Sequence, residues 1–145
     1  MRKFEPQIVG FFCNWWFCAA NLAGTSRTKY PPNVRVVQVM CSGRIDEKLI
    51  FKAFIAGADG VLICGCHPGD CHYLNGNLNA RRKVTGLNPF LDSVGIGKDR
   101  LRLEWVSASE APKVADTIRR FTHTIKQLGP SPFKGRHSQH CLSTT

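Results

Sequence analysis

Gly60-Val61-Leu62-Ile63-Cys64-Gly65-Cys66-His67-Pro68-Gly69-Asp70-Cys71-His72-Tyr73 is the stretch that decides the architecture. Its first five residues form a short apolar run that reads as a buried strand. The loop after it carries two thiols, Cys66 and Cys71, with Pro68 to stiffen the chain and Gly69 to loosen it. Two other strand-like runs end in the same way. Cys13 closes Ile8-Val9-Gly10-Phe11-Phe12, and Cys41 closes Val34-Arg35-Val36-Val37-Gln38-Val39-Met40. In a parallel α/β sheet the carboxyl ends of the strands share one edge, and ligands gather there. Three strand ends can therefore deliver thiolates to one point.

Outward from this stretch, strand and helix alternate. Residues 7–12, 34–40, 60–64 and 101–106 read as strands. Residues 14–30 read as a loop with room for a short helix, ended by the breaker Tyr30-Pro31-Pro32-Asn33. Asp46 is placed to cap a helix whose period runs through Leu49, Ile50, Ala53, Phe54 and Ala56, with Gly57 as its stop. A weaker helix lies near residues 78–94, its middle weakened by Gly86 and by Pro89, which removes a donor and crowds the preceding turn. Ser107 or Ser109 caps a last helix with the stripe Val114, Ile118, Phe121, Ile125 and Leu128, stopped by Gly129-Pro130. The fold class is α/β, a small open parallel sheet of about four strands flanked by helices. Residues 1–132 form one domain, and residues 133–145 are a polar tail without periodicity.

A chain of 145 residues accommodates one domain with one real core. No apolar run reaches the roughly 18–20 residues that span a bilayer, and the first residues lack a signal peptide's apolar stretch. A cytoplasmic protein is expected. Seven cysteines in a reducing compartment point to metal or redox chemistry rather than a disulfide framework. The net charge of +10 comes from scattered basic residues without interleaved aromatics. It reads as a solvated face or a docking surface that finds acidic partners, rather than as a nucleic-acid site.

Iron–sulfur clusters take four ligands, usually thiolates. Cys13, Cys41, Cys66 and Cys71 each stand at or just beyond a strand end, and Cys18 is a further candidate. Cys64 lies within an apolar strand and reads as a small buried hydrophobe. Cys141, in the tail with His137 and His140, reads as incidental. Zinc is the rival metal. Cys66 with Cys71 and Cys13 with Cys18 could form two pairs, with His67 and His72 as substitutes. Small residues at Gly43, Gly65 and Gly69 let backbone N–H groups approach cluster sulfurs. No nucleophile elbow or carboxylate pair accompanies the histidines.

The runs Cys13-Asn14-Trp15, Leu22-Ala23-Gly24-Thr25-Ser26-Arg27, Tyr30-Pro31-Pro32, Cys41-Ser42-Gly43-Arg44, Gly57-Ala58-Asp59-Gly60-Val61, Gly65 to Tyr73, Leu101-Arg102-Leu103-Glu104-Trp105 and Leu128-Gly129-Pro130 resemble the delta subunit of methyl-viologen-reducing hydrogenase. The resemblance covers roughly residues 7–132. It implies a [2Fe-2S] cluster and no bond chemistry on a substrate. It also implies an electron relay from a hydrogenase, formate dehydrogenase or similar donor to the flavin subunit of a heterodisulfide-reductase-type, electron-bifurcating complex, whose flavin and iron–sulfur subunits are the expected partners. One departure stands out: the family shows Cys-Asn-Trp-Cys, and position 16 here is Trp. Three outcomes stay open. Cys18 replaces the lost thiol, the cluster uses Cys13, Cys41, Cys66 and Cys71, or the site is degenerate. A degenerate site leaves a metal-free docking subunit, and a zinc-stabilised binding module is the third reading.

Overall fold

The computed structural model describes residues 4–13, 34–65, 67, 76–106 and 111–132. Four strands form one sheet: β1 (Ile8–Cys13), β2 (Val34–Val39), β3 (Gly60–Gly65) and β4 (Leu101–Trp105). Their order is β2-β1-β3-β4, and every pairing is parallel. Among the described residues three helices accompany them: α1 (Glu47–Ile55), α2 (Gly76–Ser93) and α3 (Ala111–Leu128). Two short 3-10 turns, Ser42–Arg44 and Lys98–Arg100, follow β2 and precede β4.

Alternation along the strands splits the core into two layers. Val61 and Ile63 of β3 face a cluster with Phe11 of β1, Ile50 and Phe54 of α1, and Val84, Leu87 and Leu91 of α2. Leu62 and Cys64 face the opposite cluster, with Ile8 and Phe12 of β1 and with Val114, Ile118, Phe121 and Ile125 of α3. The sheet is therefore covered by α1 and α2 on one side and by α3 on the other. All six residues of β3 are buried, as expected of a central parallel strand. β2 is an edge, and its Val36 and Val37 are exposed.

The expected α1 cap is present: the Asp46 carboxylate accepts from Leu49 N–H at 2.8 Å. Gly57 and Gly129 end α1 and α3 with φ of 108° and 82°, conformations that disfavour a side chain. The expected stripes lose members to solvent, Leu49 and Ala56 from the α1 stripe and Leu128 from the α3 stripe. The helix expected near residues 78–94 is present as α2, and it runs unbroken through Gly86 and Pro89. Its apolar face, Val84, Leu87 and Leu91, is buried against the sheet, and that packing outweighs one missing backbone bond. The α3 cap expected at Ser107 or Ser109 lies outside the described residues. Among the described residues, no helix is long and apolar enough to cross a membrane.

A staple closes the sheet edge opposite the strand ends. Asp59, fully buried, accepts from Gln7 N–H at 2.8 Å and Ser131 N–H at 2.9 Å. Arg100 donates to the carbonyls of Ile96, Asp59, Leu128 and Pro130 at 3.0, 2.9, 3.4 and 3.2 Å. Burial lowers the pKa of its guanidinium, and the neighbouring Asp59 charge opposes that shift.

Candidate metal centre at the carboxyl edge of the sheet

β1 and β3 are neighbours at the centre of the sheet, and the chain leaves β1 toward β2 on one side and β3 toward β4 on the other. This reversal is the switch point at which open α/β sheets bind ligands. Cys13 is the last residue of β1, still within the ladder and opposite Val39. It is buried, and its Sγ lies 3.7 Å from the Met40 carbonyl oxygen, within reach of an S–H donor. Cys41 stands two residues past β2 at the head of the Ser42–Arg44 turn, also buried. Gly43 N–H donates to Cys41 Sγ at 3.4 Å. The two thiols share one buried cluster with Cys64 and Val106.

Cys64 behaves as its apolar neighbours suggest, a small buried residue inside β3. Burial pushes its thiol far above the usual range, the Glu104 charge adds to this, and Lys113 opposes it. β3 ends at Gly65, and the chain runs directly into Cys66. Cys66, Cys71, Cys18, Trp16 and Cys141 lie outside the described residues, as does His72. Among the described residues, no group of three or more His, Cys, Asp or Glu converges as a complete metal site.

The surroundings of the three strand ends are tight. An added Cβ at Gly43 would lie 2.7 Å from Gly76 Cα and 2.8 Å from Gly76 O, backbone that cannot step aside. Gly43 therefore lets the turn beyond Cys41 pack on the start of α2. An added Cβ at Gly65 would meet Ser42 Oγ at 2.9 Å and Trp105 Cζ3 at 3.2 Å. Strands β3 and β4 thus close on the Cys41 turn from the other side. Lys83 Nζ donates to the carbonyls of Gly43 and Ile45 at 2.9 and 3.2 Å and pins that turn to α2. Asn77, fully buried, donates from Nδ2 to the His67 carbonyl oxygen at 3.0 Å. Both chain neighbours of Cys66 are therefore held, Gly65 by the sheet and His67 by Asn77.

Asn77, Lys83 and Ser42 are not singled out by the sequence. A buried Asn in the first turn of a helix, just after a cysteine loop, is the one available signal. The donor set suits a thiophilic metal in part: two buried thiols at one sheet edge, one already accepting an N–H. Backbone donors to cluster sulfurs raise reduction potential, and a buried site excludes water.

A family model described as methyl-viologen-reducing hydrogenase, delta subunit, matches residues 8–129. The chain belongs to that family. It is 50% identical over 134 residues to the iron-sulfur subunit of the F420-non-reducing hydrogenase vhc of Methanococcus voltae, covering 92% of this chain and 93% of that one. It is 47% identical over 134 residues to the iron-sulfur subunit of the F420-non-reducing hydrogenase of Archaeoglobus profundus, covering 92% and 98%. A third similarity, 40% over 132 residues, is to a much longer subunit of the ferredoxin/F(420)H(2)-dependent CoB-CoM heterodisulfide reductase of Methanosarcina acetivorans. There the delta-like region spans 89% of this chain but 17% of the longer protein. Family members therefore resemble both separate subunits and one segment of a reductase chain.

Proposed function

We propose that this chain is an electron-transfer subunit that carries a [2Fe-2S] cluster in residues 1–132, with residues 133–145 as a tail. It relays electrons in the cytoplasm between a hydrogenase, formate dehydrogenase or similar donor and the flavin subunit of a heterodisulfide-reductase-type complex. Cys13, Cys41, Cys66 and Cys71 would hold the cluster, with Cys18 as the alternative to one of them. The cluster would supply one-electron transfer, and the chain itself catalyses no bond chemistry.

The observation that supports this most is the placement of Cys13 and Cys41 in one buried cluster at the switch point, where Gly65 leads into Cys66. The names of the relatives agree in class: iron-sulfur subunits of hydrogenases, and a reductase chain containing a similar segment. Anaerobic purification with partners, iron and sulfide analysis, and EPR of the reduced protein test the reading. About two irons per chain and a reduced-state signal are expected. Trp16, where the family shows a cysteine, favours the rival reading of a metal-free docking protein. Absence of iron after anaerobic reconstitution decides for that rival, and zinc in its place decides for a zinc-stabilised module.

A further inference from the structure

We propose that the outer edge of β4 is a slot that takes an acidic, extended segment of the redox partner as an added strand. The partner's class rests on the electron-relay reading, whereas the slot rests on backbone and charge alone.

The described sheet ends at β4. Along a strand, the N–H and C=O of one residue point to one side, and those of the next point to the other. Val106 N–H donates inward to the Gly65 carbonyl at 2.9 Å, which turns Leu101, Leu103 and Trp105 outward. Leu101 N–H returns to the Lys98 carbonyl, and Lys113 Nζ holds the Trp105 carbonyl at 2.7 Å. The Leu101 C=O, both groups of Leu103 and the Trp105 N–H thus face the open edge. They offer four main-chain bonds to a short strand, the pattern by which exposed edges capture peptides.

A groove of about 390 Å³ runs beside this edge. Thr85 and Asn88 of α2 wall it on one side and Thr124 of α3 on the other. A groove flanked by both helix layers is where the next strand of a doubly wound sheet would lie. Asn88 Oδ1 is buried and has no hydrogen-bond partner among the described residues, an acceptor suited to an incoming N–H. Arg81, Lys98 and Arg102 line the groove with one carboxylate, Asp99, and Arg102 also pairs with Glu104 at 3.9 Å. An adjoining hollow adds Arg119, His123 and Arg120, the last already paired with Asp116. Acidic side chains are the complement. A nucleic-acid backbone would also meet the cations, but it has no use for a strand's hydrogen-bond ladder. The groove ends at Trp105, whose ring packs at Gly65 one residue before Cys66. A strand seated here would lie beside the cysteine edge.

The test uses the full chain co-purified anaerobically with the flavin subunit of a heterodisulfide-reductase-type complex. Hydrogen exchange at the Leu103 and Trp105 amides should slow on complex formation. Charge reversal at two positions, Arg81→Glu with Arg102→Glu, should weaken binding roughly tenfold or more at low salt, with the difference shrinking as salt rises. Arg35→Glu, on the opposite edge strand, should leave affinity unchanged. Unprotected β4 amides in the complex, or equal affinity for a folded double variant, would overturn the slot. So would an oligonucleotide that occupies the groove while the flavin subunit leaves β4 unprotected. If the double variant does not fold, exchange in the wild-type complex decides alone. Iron measured on the same samples keeps the two readings apart. Protected β4 without iron sinks the relay and keeps the slot, and iron with unprotected β4 does the reverse.

Discussion

Asn77 Nδ2 donates to the His67 carbonyl oxygen across 3.0 Å, which ties the first turn of α2 to the residue that follows Cys66. Asn77 also accepts from Leu78 N–H at 2.9 Å, so its amide is fixed at both ends. Asn77→Leu keeps the volume and removes the donor. The His67 carbonyl then loses this partner, at a cost of about 1–3 kcal/mol. Chemical denaturation should show that loss, and alkylation of Cys66 in the metal-free protein should accelerate. An unchanged midpoint with unchanged alkylation would show that Asn77 does not position the loop.

Two glycine substitutions should act in opposite directions. Gly43→Ala drives a methyl group into the Gly76 backbone and should destabilise by about 1–3 kcal/mol. Gly86 lies within α2, and a Cβ added there would meet nothing within 4 Å. Gly86→Ala should therefore stabilise by about 0.5–1 kcal/mol through helix propensity. Melting temperatures of the two variants check both signs at once.

The Arg100 fork and the Asp59 carboxylate should be the costliest polar side chains to remove at the opposite edge. Arg100→Ala takes a charged donor away from four carbonyls, and a loss of about 3 kcal/mol or more follows. Arg100→Lys should recover little, because an ammonium cannot span four acceptors that a planar fork reaches. Asp59→Asn keeps one acceptor oxygen and should cost less, about 1–2 kcal/mol. Recovery of full stability by the lysine variant would show that charge matters there more than geometry.

The parts of the fold that repeat along the sequence were legible, and the parts that depend on one long-range contact were not. The four strands and α3 stood out because a period-2 or period-3.6 pattern is written several times over in each. The continuity of α2 was hidden by Pro89 and Gly86, since local propensity carries no information about the sheet that buries Val84, Leu87 and Leu91. Cys13 and Cys41 could be assigned to one edge once the sheet was taken as parallel. Lys83 and Asn77 could not be assigned to that edge. Lys83 reaches a carbonyl 40 residues away, and a single contact of that kind leaves no pattern. The same limit applies to the β4 slot, whose walls come from two helices and a strand distant in sequence.

The three described cysteines should separate by role under substitution. Cys64 lies inside β3 and shares the α3-facing core with Leu62 and Val106. Cys64→Val swaps one small apolar side chain for another and should cost less than about 1.5 kcal/mol, with iron content unchanged. Cys41 accepts the Gly43 N–H at its Sγ, and Cys13 lies beside the Met40 carbonyl. Cys41→Ser and Cys13→Ser each exchange a soft thiolate for a hydroxyl, a far weaker ligand for iron. Both variants should fold and lose iron, whereas Cys64→Val keeps it. Iron and sulfide analysis alongside circular dichroism makes the distinction. Full iron in both serine variants would move the site away from these two strand ends, and iron loss confined to Cys64→Val would reverse the assignment of ligand and core.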